Sequence, residues 1–172
     1  GHGQGCTNDD DAWTHARRHA HHALAGGFML CFAATTVGTL YHYALGWVAP
    51  YGWTSLPKLL GSSGGVLMLI GAAALAALRA RRHPQHVDAG SAALDLGLIA
   101  LLALVAGSGL ALALAAGTAL MPPLLCLHLG AVLALFATLP YGKFAHGVYR
   151  TAALLRHAVE RRQPNTLGLA DD

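Results

Sequence analysis

Two histidines, His128 and His146, lie eighteen residues apart and flank an apolar stretch that is long enough to cross a bilayer. At ~100° and ~1.5 Å per residue, this spacing is a whole number of helical turns and covers ~27 Å. Both imidazoles would therefore lie on one face of a helix, near opposite sides of a hydrocarbon core ~30 Å thick. Ionisable side chains in a membrane are costly and indicate function. Neutral imidazoles in this position suit the ligation of haem iron.

An earlier apolar stretch also carries histidines near both of its ends. His21 and His22 precede it, and His42 lies close to its outer end. The interval from His21 to His42 leaves the two side chains ~60° apart around a helix, whereas His22 and His42 face nearly opposite ways. Helix phase therefore favours His21 as the partner of His42. A departure from ideal helix at the inner boundary would select His22 instead.

The first and fourth crossings of a membrane bundle run antiparallel, so the histidines pair by depth. The predicted inner pair is His21 (or His22) with His146, and the predicted outer pair is His42 with His128. Each pair offers two imidazoles to one haem iron, and a haem closed at both axial positions suits electron transfer.

Two further residues near His146 bear on this hypothesis. Lys143 lies one turn from His146 and is predicted to contact a haem propionate or to extend to the interface as an ordinary lysine. Pro140 removes a helical hydrogen bond and is predicted to kink the helix, so the eighteen-residue phase is approximate.

The composition is that of a membrane protein. Hydrophobic residues make up 55% of the chain and charged residues 11%, against about 25% in soluble domains, and the mean hydropathy is +0.47. Four apolar runs of near-spanning length occupy residues 24–45, 60–78, 92–117 and 123–149. We therefore predict an all-α membrane protein, a bundle of four transmembrane helices of the dihaem cytochrome b type.

The basic residues predict the orientation. With four crossings, ten of the eleven lie on one side, and Lys58 lies opposite. The positive-inside rule then predicts that both termini are cytoplasmic, in a multi-pass protein of the bacterial inner membrane. The +3 net charge needs no nucleic-acid partner, because topology and anionic lipid explain it. The ten residues are Arg17, Arg18, Arg79, Arg81, Arg82, Lys143, Arg150, Arg156, Arg161 and Arg162.

Three segments follow from this pattern. Residues 1–20 are polar and include Cys6, a candidate remnant of an upstream cysteine-rich module. Residues 21–149 form the predicted transmembrane haem domain. Residues 150–172 form a cytoplasmic tail that begins with an amphipathic helix, suited to a membrane surface or a partner.

Two other interpretations compete with the haem hypothesis. The histidines are structural in a haem-free membrane anchor, or they relay protons in a transporter. The shortage of acidic residues in the spans, where Asp95 stands alone near the core, disfavours the transporter and a dinuclear metal site. Other histidines are predicted to be ordinary surface side chains. These are His2, His15, His19, His83, His86 and His157.

Particular motifs resemble a known family. The stretches HHALAGGFMLCFAATTVGTLYHYALGWVAPY, TSLPKLLGSSGG and LPYGKFAHGVYR resemble the membrane portion of the tricarballylate/citrate utilisation protein B family. The pattern at the end of the fourth run is also similar to the gamma subunit of respiratory nitrate reductase, a dihaem cytochrome b. In that subunit the last helix carries two haem-ligating histidines, which match His128 and His146 here.

The resemblance implies a role in electron transfer. Family members are understood to accept electrons from an FAD-dependent dehydrogenase that oxidises tricarballylate. Electrons then pass through iron–sulfur clusters and two b-type haems to the membrane quinone. On this basis the chain is the electron-transfer component and not the substrate-oxidising subunit. The iron–sulfur clusters are expected upstream or in a partner on the cytoplasmic side, and segments 47–53 and 141–144 are candidate quinone sites.

Overall fold

The computed structural model describes residues 15–81, 89–141 and 143–161, which form five α-helices and no β-strand. The first four helices contain spans long and apolar enough to cross a membrane. The predicted all-α class and the four spans are confirmed, and they indicate a multi-pass membrane protein. The helices are α1 (Ala16–Leu45), α2 (Leu56–Ala80), α3 (Ala89–Leu114), α4 (Met121–Thr138) and α5 (Lys143–Glu160).

Local chemistry sets the turn between α1 and α2. Gly46 ends α1 in the left-handed region, with φ of 68°, which glycine adopts without the steric cost of a Cβ. The Trp47 amide donates to the Tyr41 carbonyl at 3.0 Å and closes the last turn. At the other end of the loop, Ser55 is extended and Pro57 lies in the first turn of α2, where its missing N–H costs nothing.

Glycines bring α1 and α2 into backbone contact. A Cβ on Gly27 would lie 2.5 Å from the Met68 amide nitrogen and 2.7 Å from the Gly64 carbonyl oxygen. Farther along the same face, a Cβ on Gly71 would collide with the backbone of Leu24. Small residues at such contacts let membrane helices approach closely and gain van der Waals contact. The α1–α2 hairpin is therefore tightly packed and antiparallel.

The buried core joins α2, α3 and α4. Met68 is fully buried, and Leu24 and Phe28 of α1 pack against the same cluster. Many other large apolar side chains are exposed, which is typical of a surface that faces lipid. The cluster consists of Met68, Leu102, Val105, Ala106, Ala131 and Leu135.

Polar contacts tie α2 to α3 at both ends. Arg79 and Asp95 form an ion pair of 2.7 Å at the end that also carries Arg81. At the opposite end, Lys58 donates to the Ala113 carbonyl at 2.8 Å and lies 4.2 Å from the centre of the Trp53 ring. The hydrogen bond from Lys58 satisfies the Ala113 carbonyl, which has no helical partner because it lies in the last turn of α3.

The chain divides into two compact units, Gly1–Leu135 and Phe136–Asp172. Near this boundary α4 ends at Thr138, a short 3₁₀ turn covers Leu139–Tyr141, and α5 begins at Lys143. The prediction of one continuous helix over 123–149 is therefore wrong. Pro140 accounts for the break, because it has no N–H to donate and its ring clashes with the carbonyl four residues earlier. The predicted terminal helix is present but starts at Lys143, and its described side chains, from Tyr149 onward, are exposed.

Candidate metal-ligating histidines in the membrane spans

His128 lies on α4 and is half-buried against α3. Its Nδ1 atom is 3.1 Å from the hydroxyl oxygen of Ser108. The ring also packs directly over Gly109, where an added Cβ would lie 3.0 Å from the imidazole Cε1. The side chain is therefore held by a hydrogen bond at one ring nitrogen and by a glycine under the ring.

Contacts across three hairpins give the depth of His128 in the bundle. Gly27 of α1 touches Gly64 of α2. The next residue of α2, Gly65, touches Leu110 of α3, and the residue before Leu110, Gly109, touches His128 of α4. Each step moves at most one residue along a helix. His128 therefore lies at about the level of Gly27, well inside the first span.

The α1 histidines differ from His128 in exposure. His21, His22 and His42 are all exposed, and the rings of His21 and His22 meet edge to face with centroids 6.4 Å apart. His42 stacks edge to face on Tyr43, with centroids 4.9 Å apart. These three imidazoles are thus available to a ligand or to the lipid interface.

The depths separate His42 from His128. From Gly27 to His42 is fifteen residues, an axial distance of about 22 Å. Two ligands of one iron each lie about 2 Å from it, so this offset is far too large for a shared metal in the described arrangement. The predicted outer pair is therefore not brought together. His22 and His21 are five and six residues from Gly27, within about 9 Å of the level of His128.

His146 and Lys143 lie on α5, not on the helix that carries His128. The premise that His128 and His146 share one face of one helix fails for this reason. The side chains of Lys143 and His146 are outside the described part of the structure, so their predicted roles stay predictions.

The histidines predicted to be superficial are mostly so where they are described. His19 and His157 are exposed, and His15 is half-buried. His2, His83 and His86 lie outside the described residues, as does Cys6, the candidate iron–sulfur remnant.

The contact of Ser108 and Gly109 with His128 was not predicted from the sequence. Their signal was the run AGSGL, a polar and small interruption in a third span that is otherwise rich in Leu and Ala. Interruptions of this kind indicate a close helix contact or a hydrogen-bonded partner on a neighbouring helix. Here that partner is the His128 imidazole.

Comparison with known proteins identifies the relatives of this arrangement. The profile of the citrate utilization protein B family matches residues 1–166. The chain belongs to the citrate utilization protein B family. The Citrate utilization protein B of Escherichia coli is 49% identical over all 172 residues. The predicted family is thus confirmed.

The chain corresponds to only part of its Escherichia coli relative. The chain spans 45% of the length of the Escherichia coli protein, so it corresponds to less than half of that relative. No solved structure matches the chain.

Proposed function

We propose that this chain is the membrane electron-transfer domain of a tricarballylate- or citrate-linked dehydrogenase system, of the cytochrome b type. Its electrons would come from a flavoprotein or iron–sulfur partner on the cytoplasmic side and pass to the quinone of the bacterial inner membrane. The name of the Escherichia coli relative and the family match support the link to citrate utilisation.

The observation that carries this proposal is His128. An imidazole inside an apolar span is costly unless it has a function or a partner, and the Nδ1 atom of His128 is 3.1 Å from the Ser108 hydroxyl oxygen. That arrangement suits an axial haem ligand, because a ligating histidine commonly uses its second nitrogen for an orienting hydrogen bond. Among the described residues no group of three or more His, Cys, Asp or Glu side chains converges, whereas bis-histidine ligation needs only two.

The depths favour a revised pairing for the ligands. His21 or His22 is nearer the level of His128 than His42 is, so we propose that one of these two is its partner on α1. His42 and His146 stay proposed haem ligands and Lys143 a proposed propionate contact, but not as one pair, because four crossings put His42 and His146 on opposite sides of the membrane. When bound, haem b supplies reversible one-electron transfer. The chain itself provides imidazole ligands, a dry apolar surround and an ordered helix frame.

The charge distribution supports the proposed orientation. The antiparallel contacts bring Arg79 and Arg81 to the same end of the bundle as Arg17 and Arg18, while Lys58 is at the other end. Under the positive-inside rule, the arginine end would be cytoplasmic. A cytoplasmic electron donor would then meet the chain at this end.

The test is a dithionite-reduced minus oxidised spectrum of the purified chain, expressed with ample haem supply, with a pyridine haemochrome titration for stoichiometry. We expect about two b-type haems per chain. His128→Ala should lose one haem, and whichever of His21→Ala and His22→Ala loses the same spectral component carries its partner. His157→Ala is the matched control, since His157 is exposed on α5, and it should keep both haems.

Other outcomes would contradict the proposal. A well-folded chain without haem would leave the membrane anchor as the explanation. Gradient-dependent transport by haem-free protein, abolished in His128→Ala, would support the proton-relay transporter instead. Haem retained at full stoichiometry in His128→Ala would remove His128 from the ligand set.

A further inference from the structure

Ser108 is a buried polar side chain in the middle of an apolar helix. Ser108 is only 6% exposed, so its hydroxyl lies within the apolar core of the described helices. A hydroxyl buried in apolar surroundings needs hydrogen-bond partners, because leaving it unsatisfied costs about 1–3 kcal/mol. Its two partners are on α3 itself and on α4.

The two contacts of the Ser108 hydroxyl favour one direction for each hydrogen bond. Ser108 Oγ donates to the Val105 carbonyl at 3.2 Å, and the same oxygen lies 3.1 Å from His128 Nδ1. A serine hydroxyl has one proton and two lone pairs. When the Ser108 hydroxyl donates to the Val105 carbonyl, which can only accept, the proton between Ser108 and His128 comes from the imidazole. In this arrangement Nδ1 carries the hydrogen, and Nε2 of the neutral ring carries the lone pair.

Gly109 determines where the ring can lie. An added Cβ at this position would be 3.0 Å from Cε1 and 3.3 Å from Nδ1 of His128, but 3.7 Å from Nε2. The ring edge that bears Nδ1 is therefore pressed closest to α3, and Nε2 is the ring nitrogen farther from it. Ser108 and Gly109 together hold the imidazole in one orientation.

We propose that Ser108 is a positioning residue that holds His128 in its Nδ1–H tautomer and leaves Nε2 as the metal-ligating atom. The part of this inference that concerns haem rests on the proposed function. The tautomer itself does not, because it follows from the contacts of this chain alone.

The tautomer is measured on the full-length, haem-free protein with ¹⁵N-labelled histidine by solid-state NMR in lipid bilayers, with His128→Gln used to assign the signal. We expect Nδ1–H for His128 in the wild type. Ser108→Ala should give a mixture of tautomers, and Ser108→Thr, which keeps the hydroxyl, should restore Nδ1–H. Ser62→Ala is the matched control, since Ser62 is a half-buried serine on α2 that donates to the Lys58 carbonyl at 2.7 Å.

Haem titration of the same variants gives the second readout. Loss of an outer hydrogen bond to a metal ligand typically weakens binding ~10–100-fold. We expect a loss of that order in Ser108→Ala, a more positive midpoint potential for the remaining haem because its ligand is less basic, and recovery of both in Ser108→Thr. A merely structural serine would lower thermal stability without moving the potential.

The outcomes separate this inference from the proposed function. Nε2–H in the wild type would overturn the inference even if Ser108→Ala failed to fold. An unchanged tautomer and haem affinity in folded Ser108→Ala would overturn it as well. Nδ1–H in a protein that binds no haem would support the tautomer assignment and overturn the proposed function.

Discussion

Asp95 illustrates at the residue scale how a charge is tolerated beside a membrane span. It is the acidic residue within the four apolar runs, and it pairs with Arg79 at 2.7 Å while both side chains are about three-quarters covered. Removing one partner of such a covered pair is destabilising, because the remaining unpaired charge keeps its desolvation cost. Asp95 stands out in the sequence as the lone acidic residue near the core of the spans, but the sequence did not predict the partner on α2.

Replacing Asp95 should therefore be costly. We expect Asp95→Ala to lower the free energy of unfolding by about 1.5–3 kcal/mol, the usual worth of a hydrogen bond to a charged group. Equilibrium unfolding in mixed micelles measures this value. A double-mutant cycle with Arg79→Ala should show a coupling of at least about 0.5 kcal/mol.

The exposed pair Arg156 and Glu160 on α5 is the matched control. It has the same 2.7 Å separation, but its side chains are 81% and 51% exposed. Exposed pairs contribute little because water and salt screen them, so Glu160→Ala should change stability by less than about 0.5 kcal/mol. Equal effects at Asp95 and Glu160 would show that burial does not distinguish the two pairs.

At the scale of the elements, the α1–α2 hairpin depends on glycines that leave no room for a side chain. Gly27→Ala would introduce a Cβ 2.5 Å from a backbone nitrogen, so the two helices must separate. Overpacking of this kind typically costs about 1–3 kcal/mol. Gly107→Ala on α3 meets no atom within 4 Å and should be neutral or stabilising by up to about 1 kcal/mol, since alanine favours a helix. Thermal unfolding of the two variants in the same detergent compares them. A Gly27→Ala protein as stable as Gly107→Ala would contradict the tight hairpin.

The helices themselves could be predicted from the sequence, because length and apolar character decide whether a segment spans a membrane. The end of α1 agrees with the end of the predicted run 24–45, but its start at Ala16 is eight residues earlier than that run, since polar residues can extend a helix beyond a membrane. The α4 boundary was wrong because Pro140 ended the helix where only a kink was expected. The depth of His128 could not be predicted, because it depends on which glycines touch across three hairpins.

At the scale of the whole molecule, an even number of antiparallel spans determines the topology. Four spans that each cross the membrane return the chain after α4 to the side on which α1 begins. Under the proposed orientation, a fluorescent protein fused after Asp172 should fluoresce in the bacterial cytoplasm. Alkaline phosphatase inserted after Gly52 should be active, because that enzyme needs the oxidising periplasm for its disulfides.

The reciprocal fusions are the controls for this topology. Alkaline phosphatase after Asp172 and a fluorescent protein after Gly52 should both be inactive at equal protein levels. The opposite pattern would reverse the orientation, and activity of phosphatase at both sites would mean an odd number of crossings.

The length of α1 has a consequence for the bilayer around it. Its thirty residues extend for about 45 Å, well beyond a hydrocarbon core ~30 Å thick. Gly38 contacts Tyr51 and Pro57 at the start of α2, so the last turns of α1 extend beyond its neighbour. The basic and histidine-rich start of α1 extends past the lipid, and its apolar run, residues 24–45, is ~33 Å long, so the small excess of apolar length is accommodated by tilt. The surroundings of His42, in the last turn of α1, should therefore change with membrane thickness more than those of His128.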